Sequence, residues 1–176
     1  MSEEKKDPWL NYLALTTVIL AVCATLSTFK GGGYSTKGVI SQAQASDQWA
    51  YYQAKGVKQY LYQIQRDNLV LQRDALPVDN KASAAYDAKI ADYSSKVQQY
   101  DTEKHHIEDL ARGLEAQRDD AQRHGKPFGI AVIFLQVAIL ISSIAGLFKR
   151  KVLWLSALPV GLVGVLYFVD GFFVLF

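Results

Sequence analysis

The chain has a single cysteine, Cys23, among its 176 residues. One thiol cannot form a disulfide within the chain, and it cannot supply the paired thiolates of a zinc site. Charge of one sign is also missing, because 17 acidic residues nearly balance 19 Lys and Arg residues. Such a balance offers no basic stripe for the phosphates of nucleic acid. We therefore expect no disulfide framework and no nucleic-acid partner.

Charge is almost absent from three stretches, residues 9–29, 128–148 and 152–176. A helix needs about 20 apolar residues to cross roughly 30 Å of hydrocarbon, and each stretch is long enough. The last two stretches are separated only by the basic turn 149–151, so they are expected to form an antiparallel pair. The sequence predicts three transmembrane helices with membrane lipid as a partner.

The first apolar stretch has features of a signal peptide, because Lys5 and Lys6 precede it and small residues lie around Cys23. Its apolar run is longer than a usual signal core, and Val22 occupies the position where a lipoprotein requires a small residue. We expect a retained membrane helix that begins at Asp7 and Pro8, which combine an N-cap carboxylate with a proline suited to the first turn.

Basic residues predict the orientation in the membrane. The tail 1–8 and the turn 149–151 carry short basic segments and fall on one side, which the positive-inside rule assigns to the cytoplasm. Residues 30–127 would then be exported to the periplasm. The opposite orientation stays open, because basic residues also flank the membrane on the other side: Lys30, Lys37, Arg118, Arg123 and Lys126.

The polar segment 30–127 predicts a long helical hairpin. Both halves carry residues at alternating spacings of three and four, the pattern of a coiled-coil seam. The first stripe is Ile40, Ala43, Asp47, Ala50, Ala54, Val57, Leu61, Ile64, Asn68 and Leu71. The second stripe is Ile90, Tyr93, Val97, Tyr100, Lys104, Ile107, Ala111, Leu114, Arg118 and Ala121. Turn-forming residues place the tip near 76–81, so the fold class is all-α with an antiparallel hairpin between the first and second spans.

Five aromatic residues of the first arm lie off its predicted seam: Trp49, Tyr51, Tyr52, Tyr60 and Tyr62. Aromatic side chains with a polar tip suit interfaces, so they indicate contact with another chain, either a second copy or an unknown protein. The alternative is that they only widen the seam within the chain.

Breaks are expected where each arm meets the membrane. Gly31, Gly32 and Gly33 follow the first span, and the residues from His124 to Pro127 precede the second. Glycine permits positive φ and proline stops an incoming helix, so neither arm is expected to continue straight into its span.

The segments Lys30-Gly31-Gly32-Gly33-Tyr34-Ser35-Thr36 and Gln44-Ala45-Ser46-Asp47-Gln48-Trp49-Ala50-Tyr51-Tyr52-Gln53-Ala54-Lys55 resemble a bacterial membrane family, domain of unknown function 4337. The resemblance extends over the whole chain. It implies a bacterial membrane protein with three spans, and it implies no catalytic residue because the family has no established activity.

Candidate metal ligands are Asp101, His105 and Glu108, whose spacing places them on one helical face. Their charged neighbours favour an ordinary solvated, salt-bridged helix surface instead. Within the spans, Asp170 is the one acid and Gln136 lies near the middle, and both are expected to stabilise helix packing or to anchor the interface. We predict no catalytic residue, no metal site and no cofactor.

Small residues recur at every fourth position of the spans: Thr17, Ala21 and Thr25; Ala138, Ser142 and Gly146; Ala157 and Gly161. Such stripes allow close helix approach, and one compact bundle does not need all of them. The sequence therefore favours a non-enzymatic, homo-oligomeric membrane scaffold that presents a coiled-coil hairpin. The alternative is a channel or transporter subunit in which Gln136 and Asp170 line a path.

Overall fold

The computed structural model describes residues 8–77 and 82–175. Over this part of the chain the only regular elements are three helices: α1 (Pro8–Asp74), α2 (Ser83–Leu147) and α3 (Lys151–Phe173). The predicted all-α class is confirmed. Sequence predictions that concern Lys5, Lys6, Asp7 and the tip residues 78–81 lie outside the described residues, as does the last residue of the third span.

The predicted breaks at Gly31–Gly33 and His124–Pro127 are wrong, because α1 and α2 run through them without interruption. Each glycine costs a helix about 1 kcal/mol relative to alanine, an amount that packing readily offsets. Here Gly31 gives room for α2, since a Cβ built on it would lie 3.1 Å from Cβ of Phe128. Pro127 lies inside α2 and is buried. Gly31 therefore serves helix contact, whereas nothing lies within 4 Å of a Cβ built on Gly32 or Gly33, and all three glycines lie within the continuous helix α1.

The chain divides into two compact units, a three-helix unit of residues 1–40 and 117–176 and a hairpin unit of residues 41–116. The centre of the three-helix unit consists of small and branched apolar residues: Leu20, Ala24, Ala131, Leu135 and Ala138. Trp154 links α3 to α1, because its Nε1–H donates a hydrogen bond to Oγ1 of Thr16 at 3.1 Å.

Phe128 anchors an aromatic cluster in the three-helix unit. Its side chain is fully buried, and its ring centroid lies 5.1 Å from that of Phe172 and 6.1 Å from those of Phe168 and Tyr34. A Cβ built on Gly171 would lie 2.8 Å from the Phe128 ring. Glycine at this position therefore allows α3 to pack directly on the ring.

The basic turn between α2 and α3 is a helix-ending motif. Arg150 N–H donates to the carbonyl of Ala145 at 3.0 Å, and Lys149 N–H donates to that of Gly146 at 3.3 Å. This pair of hydrogen bonds defines a Schellman motif, in which the residue after the cap adopts the left-handed conformation. Lys149 adopts it with φ of 50°. The motif explains how a turn this short reverses the chain.

The hairpin unit contains the facing segments of α1 and α2. Trp49 Nε1–H donates to Glu115 at 2.9 Å, and farther along α1 the Lys55 ammonium donates to Glu103 at 2.6 Å. As the residue number rises on α1, that of its partner falls on α2, so the segments run antiparallel. These contacts are consistent with the predicted hairpin.

The two predicted stripes have opposite outcomes. All residues of the second stripe, from Ile90 to Ala121, are buried or half-buried. Every residue of the first stripe, from Ile40 to Leu71, is exposed, so the predicted seam on α1 is wrong. The side of α1 that faces α2 instead carries mostly polar and aromatic residues at the same spacing: Ser41, Ala45, Trp49, Tyr52, Lys55, Gln59, Tyr62, Arg66, Leu69 and Arg73. Cross-helix hydrogen bonds and ring contacts favour this face.

The close approach at Gly171 predicts that Gly171→Ala destabilises the protein by about 1 to 3 kcal/mol, because the added methyl group forces the Phe128 ring to move. Gly129→Ala is the matched control, since nothing lies within 4 Å of a Cβ at Gly129. The control is expected to be neutral or to stabilise by up to about 1 kcal/mol through helix propensity. Thermal unfolding in detergent measures both, and equal effects would contradict the packing described.

Candidate functional site

A cluster of charged and aromatic side chains lies between α1 and α2 in the hairpin unit. The Lys55 ammonium is 2.6 Å from a Glu103 carboxylate oxygen. It also lies 5.3 Å from the ring centroid of Tyr51 and 5.2 Å from that of Tyr100. Cation–π contacts of this kind add to the attraction of the ion pair. Lys55 thus contacts α2 through both a carboxylate and a ring.

Gln59 links the next turn of α1 to α2. Its side-chain NH₂ donates to Asp101 at 3.1 Å and to the Val97 carbonyl at 3.3 Å. Its carbonyl oxygen accepts a hydrogen bond from Lys104 at 3.0 Å. Lys104 in turn lies 4.9 Å from the ring centroid of Tyr52. Because an amide both donates and accepts, Gln59 satisfies partners of opposite character on the facing helix.

Tyr62 continues the same face toward the tip. Its ring lies 5.5 Å from that of Tyr93 in an edge-on arrangement and 5.7 Å from that of Tyr100 in a stacked one. These distances are those of favourable aromatic pairs. The tyrosines border a groove of about 410 Å³ that also involves Lys58, Leu61 and Gln65.

The ion pair shifts the pKa values of both partners. The hydrogen bond from Lys55, followed by one from Gln99, lowers the pKa of Glu103 below its ordinary value of 4.5. The hydrogen bonds with Glu103 and then Tyr51 raise the pKa of Lys55 above its ordinary value of 10.5. Both shifts favour the charged forms, so the pair is ionised across the neutral range.

The outer side of α1 carries a row of large apolar residues, unlike its inner side. Val57, Leu61, Ile64 and Leu71 are 60%, 58%, 56% and 70% exposed. These residues belong to the first predicted stripe, which faces away from α2. A row of large apolar side chains in solvent typically marks an interaction surface.

The five aromatic residues off the predicted seam separate into two groups. Trp49, Tyr52 and Tyr62 make the cross-helix contacts described above, which agrees with the alternative that they widen the contact within the chain. Tyr51 and Tyr60 are exposed. Tyr51 also lies beside Lys55 within α1. A contact of these two tyrosines with another chain stays a prediction.

The candidate metal ligands do not converge. His105 Nε2 lies 3.7 Å from an Asp101 oxygen, whereas Glu108 accepts two hydrogen bonds from Arg112, at 2.7 and 3.0 Å. Across residues 8–77 and 82–175, no group of three or more His, Cys, Asp or Glu side chains is arranged to hold a metal ion. These side chains form ordinary ion pairs along one helix.

Asp170 and Gln136 lie in different environments. Asp170 is only 1% exposed, and its carboxylate accepts the Leu175 N–H at 2.6 Å just beyond α3. It holds the chain where Val174 adopts a φ of 49°, a conformation unusual for a β-branched residue. This contact fits the structural role expected for Asp170, although the side chain is buried and not at the surface. Gln136 lies on the exposed side of α2.

Sequence reasoning missed the contacts of Lys55 and Gln59 with α2. The sequence does contain a pattern that includes both residues. They belong to a second stripe of α1, with spacings of three and four residues, that contains few aliphatic residues. Lys and Arg bury their long aliphatic stems while the charged ends find partners. A search for apolar periodicity alone passes over such a stripe.

The fold therefore defines an all-α protein with an antiparallel hairpin and three helices that are long and apolar enough to cross a membrane. The chain belongs to the family described as domain of unknown function (DUF4337), whose sequence model matches residues 9–174. No curated protein and no solved structure matches the chain.

The lowered pKa of Glu103 predicts a pH-dependent stability. A carboxylate with a depressed pKa stabilises the fold above its ordinary value of 4.5, and this contribution disappears as the pH falls through the folded value. Glu103→Gln is therefore expected to lower the melting temperature at neutral pH. On transfer to about pH 3.5, the melting temperature of this variant should fall by less than that of the wild type.

The matched control for this prediction is Asp92→Asn, because Asp92 lies on the exposed side of α2. This variant is expected to keep the wild-type pH dependence. Circular dichroism melts at both pH values measure the difference. The same pH dependence in the wild type and in Glu103→Gln would contradict the role of the ion pair.

Proposed function

We propose that this protein is a homo-oligomeric integral membrane scaffold of the bacterial inner membrane, whose helical hairpin presents a surface for protein contact. The apolar outer stripe of α1 is the observation that carries the proposal. Polar and aromatic contacts between α1 and α2 hold the hairpin together, and the apolar stripe lies exposed on the outer side of α1 among the described residues. No catalytic role and no cofactor are part of this proposal.

The composition of the three-helix unit supports membrane insertion. Its three apolar helical segments are each long enough to span a bilayer, and large apolar side chains lie on the outside of the unit, including Leu15, Ile133 and Leu162. In water such a surface would be costly, whereas lipid tails accommodate it. Tyr12 is exposed near the start of the first segment, where aromatic residues often mark the interface.

Two features of the three-helix unit support assembly between copies. The stripes that contain Ala138 with Ser142 and Ala157 with Gly161 are buried within the unit. The stripe on the first span points outward, since its residues Ala21 and Thr25 are exposed. Gln136 is also exposed, and an amide facing lipid gains from a hydrogen bond to a neighbouring subunit. Packing between copies would cover both features.

The alternative function is a subunit of an oligomeric channel or transporter, and the exposed position of Gln136 favours it over an isolated bundle. Copies that meet through this side of α2 would bring several amides together. Asp170 contributes little to such a path, because its carboxylate already accepts the Leu175 N–H. Ion-flux measurements on protein reconstituted into liposomes distinguish the two functions. A channel conducts ions, and Gln136→Leu should abolish this conductance. A scaffold shows no flux with or without the substitution.

The scaffold proposal predicts that the protein runs as an oligomer after gentle solubilisation at native expression. Chemical cross-linking in membranes, followed by mass measurement of the purified particle, tests this expectation. The mass of bound lipid and detergent is determined and subtracted, so that the protein mass alone is compared with the 19.6 kDa of one chain. A strictly monomeric particle would refute the proposal.

The proposed orientation has the amino-terminus in the cytoplasm and the hairpin in the periplasm. Single cysteines at Ser83 and Ser2, each in a Cys23→Ala background, are to be treated with a membrane-impermeant thiol reagent on intact spheroplasts. Labelling at Ser83 alone is expected, because short basic segments stay in the cytoplasm. Labelling at Ser2 alone would place the hairpin in the cytoplasm.

A further inference from the structure

The outer stripe of α1 has a strongly apolar half, which we name the outer seam: Ala54, Val57, Leu61, Ile64, Asn68 and Leu71. All of its residues are exposed. Their spacing alternates between three and four residues, which matches the a and d positions of a two-stranded coiled coil. Because the inner side of α1 already packs on α2, the outer seam is a second seam that the described residues of the same chain leave exposed.

We propose that the outer seam pairs in parallel and in register with the outer seam of a second copy of this chain. This inference rests on the proposed homo-oligomer and deepens it by naming the surface and the mode of association. Two observations on the described residues carry it: the position of a single amide in the seam, and the charges of the residues on either side.

Asn68 determines the direction of pairing. It occupies an a position, where parallel pairing places its amide against the amide of the second copy's Asn68. An asparagine at an a position favours two parallel strands in register, because the paired amides hydrogen-bond to each other. Antiparallel pairing over the same residues would instead place Asn68 against Val57. A buried amide without a partner costs about 1 to 3 kcal/mol.

The flanking residues are compatible with parallel pairing. In this arrangement Tyr60 lies beside Gln65 of the second copy, and Asp67 lies beside its Gln72, so no like charges meet. Asp67 is also paired within its own chain, where Arg66 donates to it at 2.7 Å. The charge next to the seam is thereby already compensated.

The amino-terminal half of the stripe is less suited to pairing. It contains Asp47, which would face the same carboxylate of a second copy, and its other members near that residue are the small side chains Ala43 and Ala50. Like charges at such a position are destabilising. The association is therefore assigned to residues 54–71, about 26 Å of helix at 1.5 Å per residue.

The test is a cysteine cross-linking scan of the full-length protein in native membranes, in a Cys23→Ala background. Single cysteines replace Leu61, Ile64 or Asn68 in the outer seam, and Ser95 or Thr102 on the exposed side of α2 as matched controls. Copper phenanthroline then oxidises neighbouring thiols. Parallel pairing brings each seam cysteine to its own counterpart, so the disulfide-linked dimer is expected to form at least about fivefold more than in the controls.

A second variant tests the seam without a cysteine. Ile64→Asp is expected to reduce the oligomer in the mass measurement, because it introduces a pair of like charges into the seam. The Ile64 side chain is 56% exposed, so the fold of one chain has no reason to change, and an unaltered circular dichroism spectrum verifies this. A dimer that withstands Ile64→Asp would overturn the inference.

The outcomes separate this inference from the broader proposal. An oligomer whose seam cysteines cross-link no better than the controls overturns the outer-seam pairing and leaves the homo-oligomeric scaffold standing. A monomer overturns both. Cross-links from the seam to a different protein, in place of the dimer, also overturn the inference, since they identify a different occupant.

Discussion

The cross-helix pairing of Lys55 with Glu103 and the neighbouring rings is the constraint on which the hairpin depends. It requires that the polar and aromatic face of α1 lie against α2, since a lysine turned to the outside would lose its carboxylate and its aromatic contacts together. Gln59 and Tyr62 extend the same contact along the helix. With this face inside, the opposite apolar stripe is left exposed among residues 8–77 and 82–175.

That arrangement links the packing of the hairpin to its proposed role. A helix with apolar residues on one side usually buries them against its nearest neighbour. Here α1 has two faces that can pack against another helix. The polar face packs on α2, and the aliphatic face stays available for a second chain. The apolar segments of the three-helix unit pack in a different way, because small residues such as Gly171 and Ala138 allow close contact between helices.

The sequence predicted the all-α class, the hairpin and the inward stripe of α2 because apolar periodicity and burial coincide there, as at Ile107 and Ala111. It misplaced the seam of α1 because two stripes with the same spacing compete on that helix, and only cross-helix partners decide between them. The breaks expected at Gly31 and Pro127 failed because packing overrides local helix propensity. Asp170 is buried and bonds to the turn after α3, which its distance along the helix did not reveal.

The central claim is that α1 faces α2 through Lys55 and not through the aliphatic stripe. A short bismaleimide linker, applied to the dilute protein in a Cys23→Ala background, tests it with two cysteine pairs that differ by half a helical turn on α1. We predict an efficient bridge within one chain for Tyr62→Cys with Tyr93→Cys, whose rings lie 5.5 Å apart, and little for Ile64→Cys with Tyr93→Cys. Both pairs keep Lys55 and Glu103. An efficient bridge from position 64 and none from position 62 would show that the aliphatic stripe lies inside the hairpin, which would contradict this arrangement.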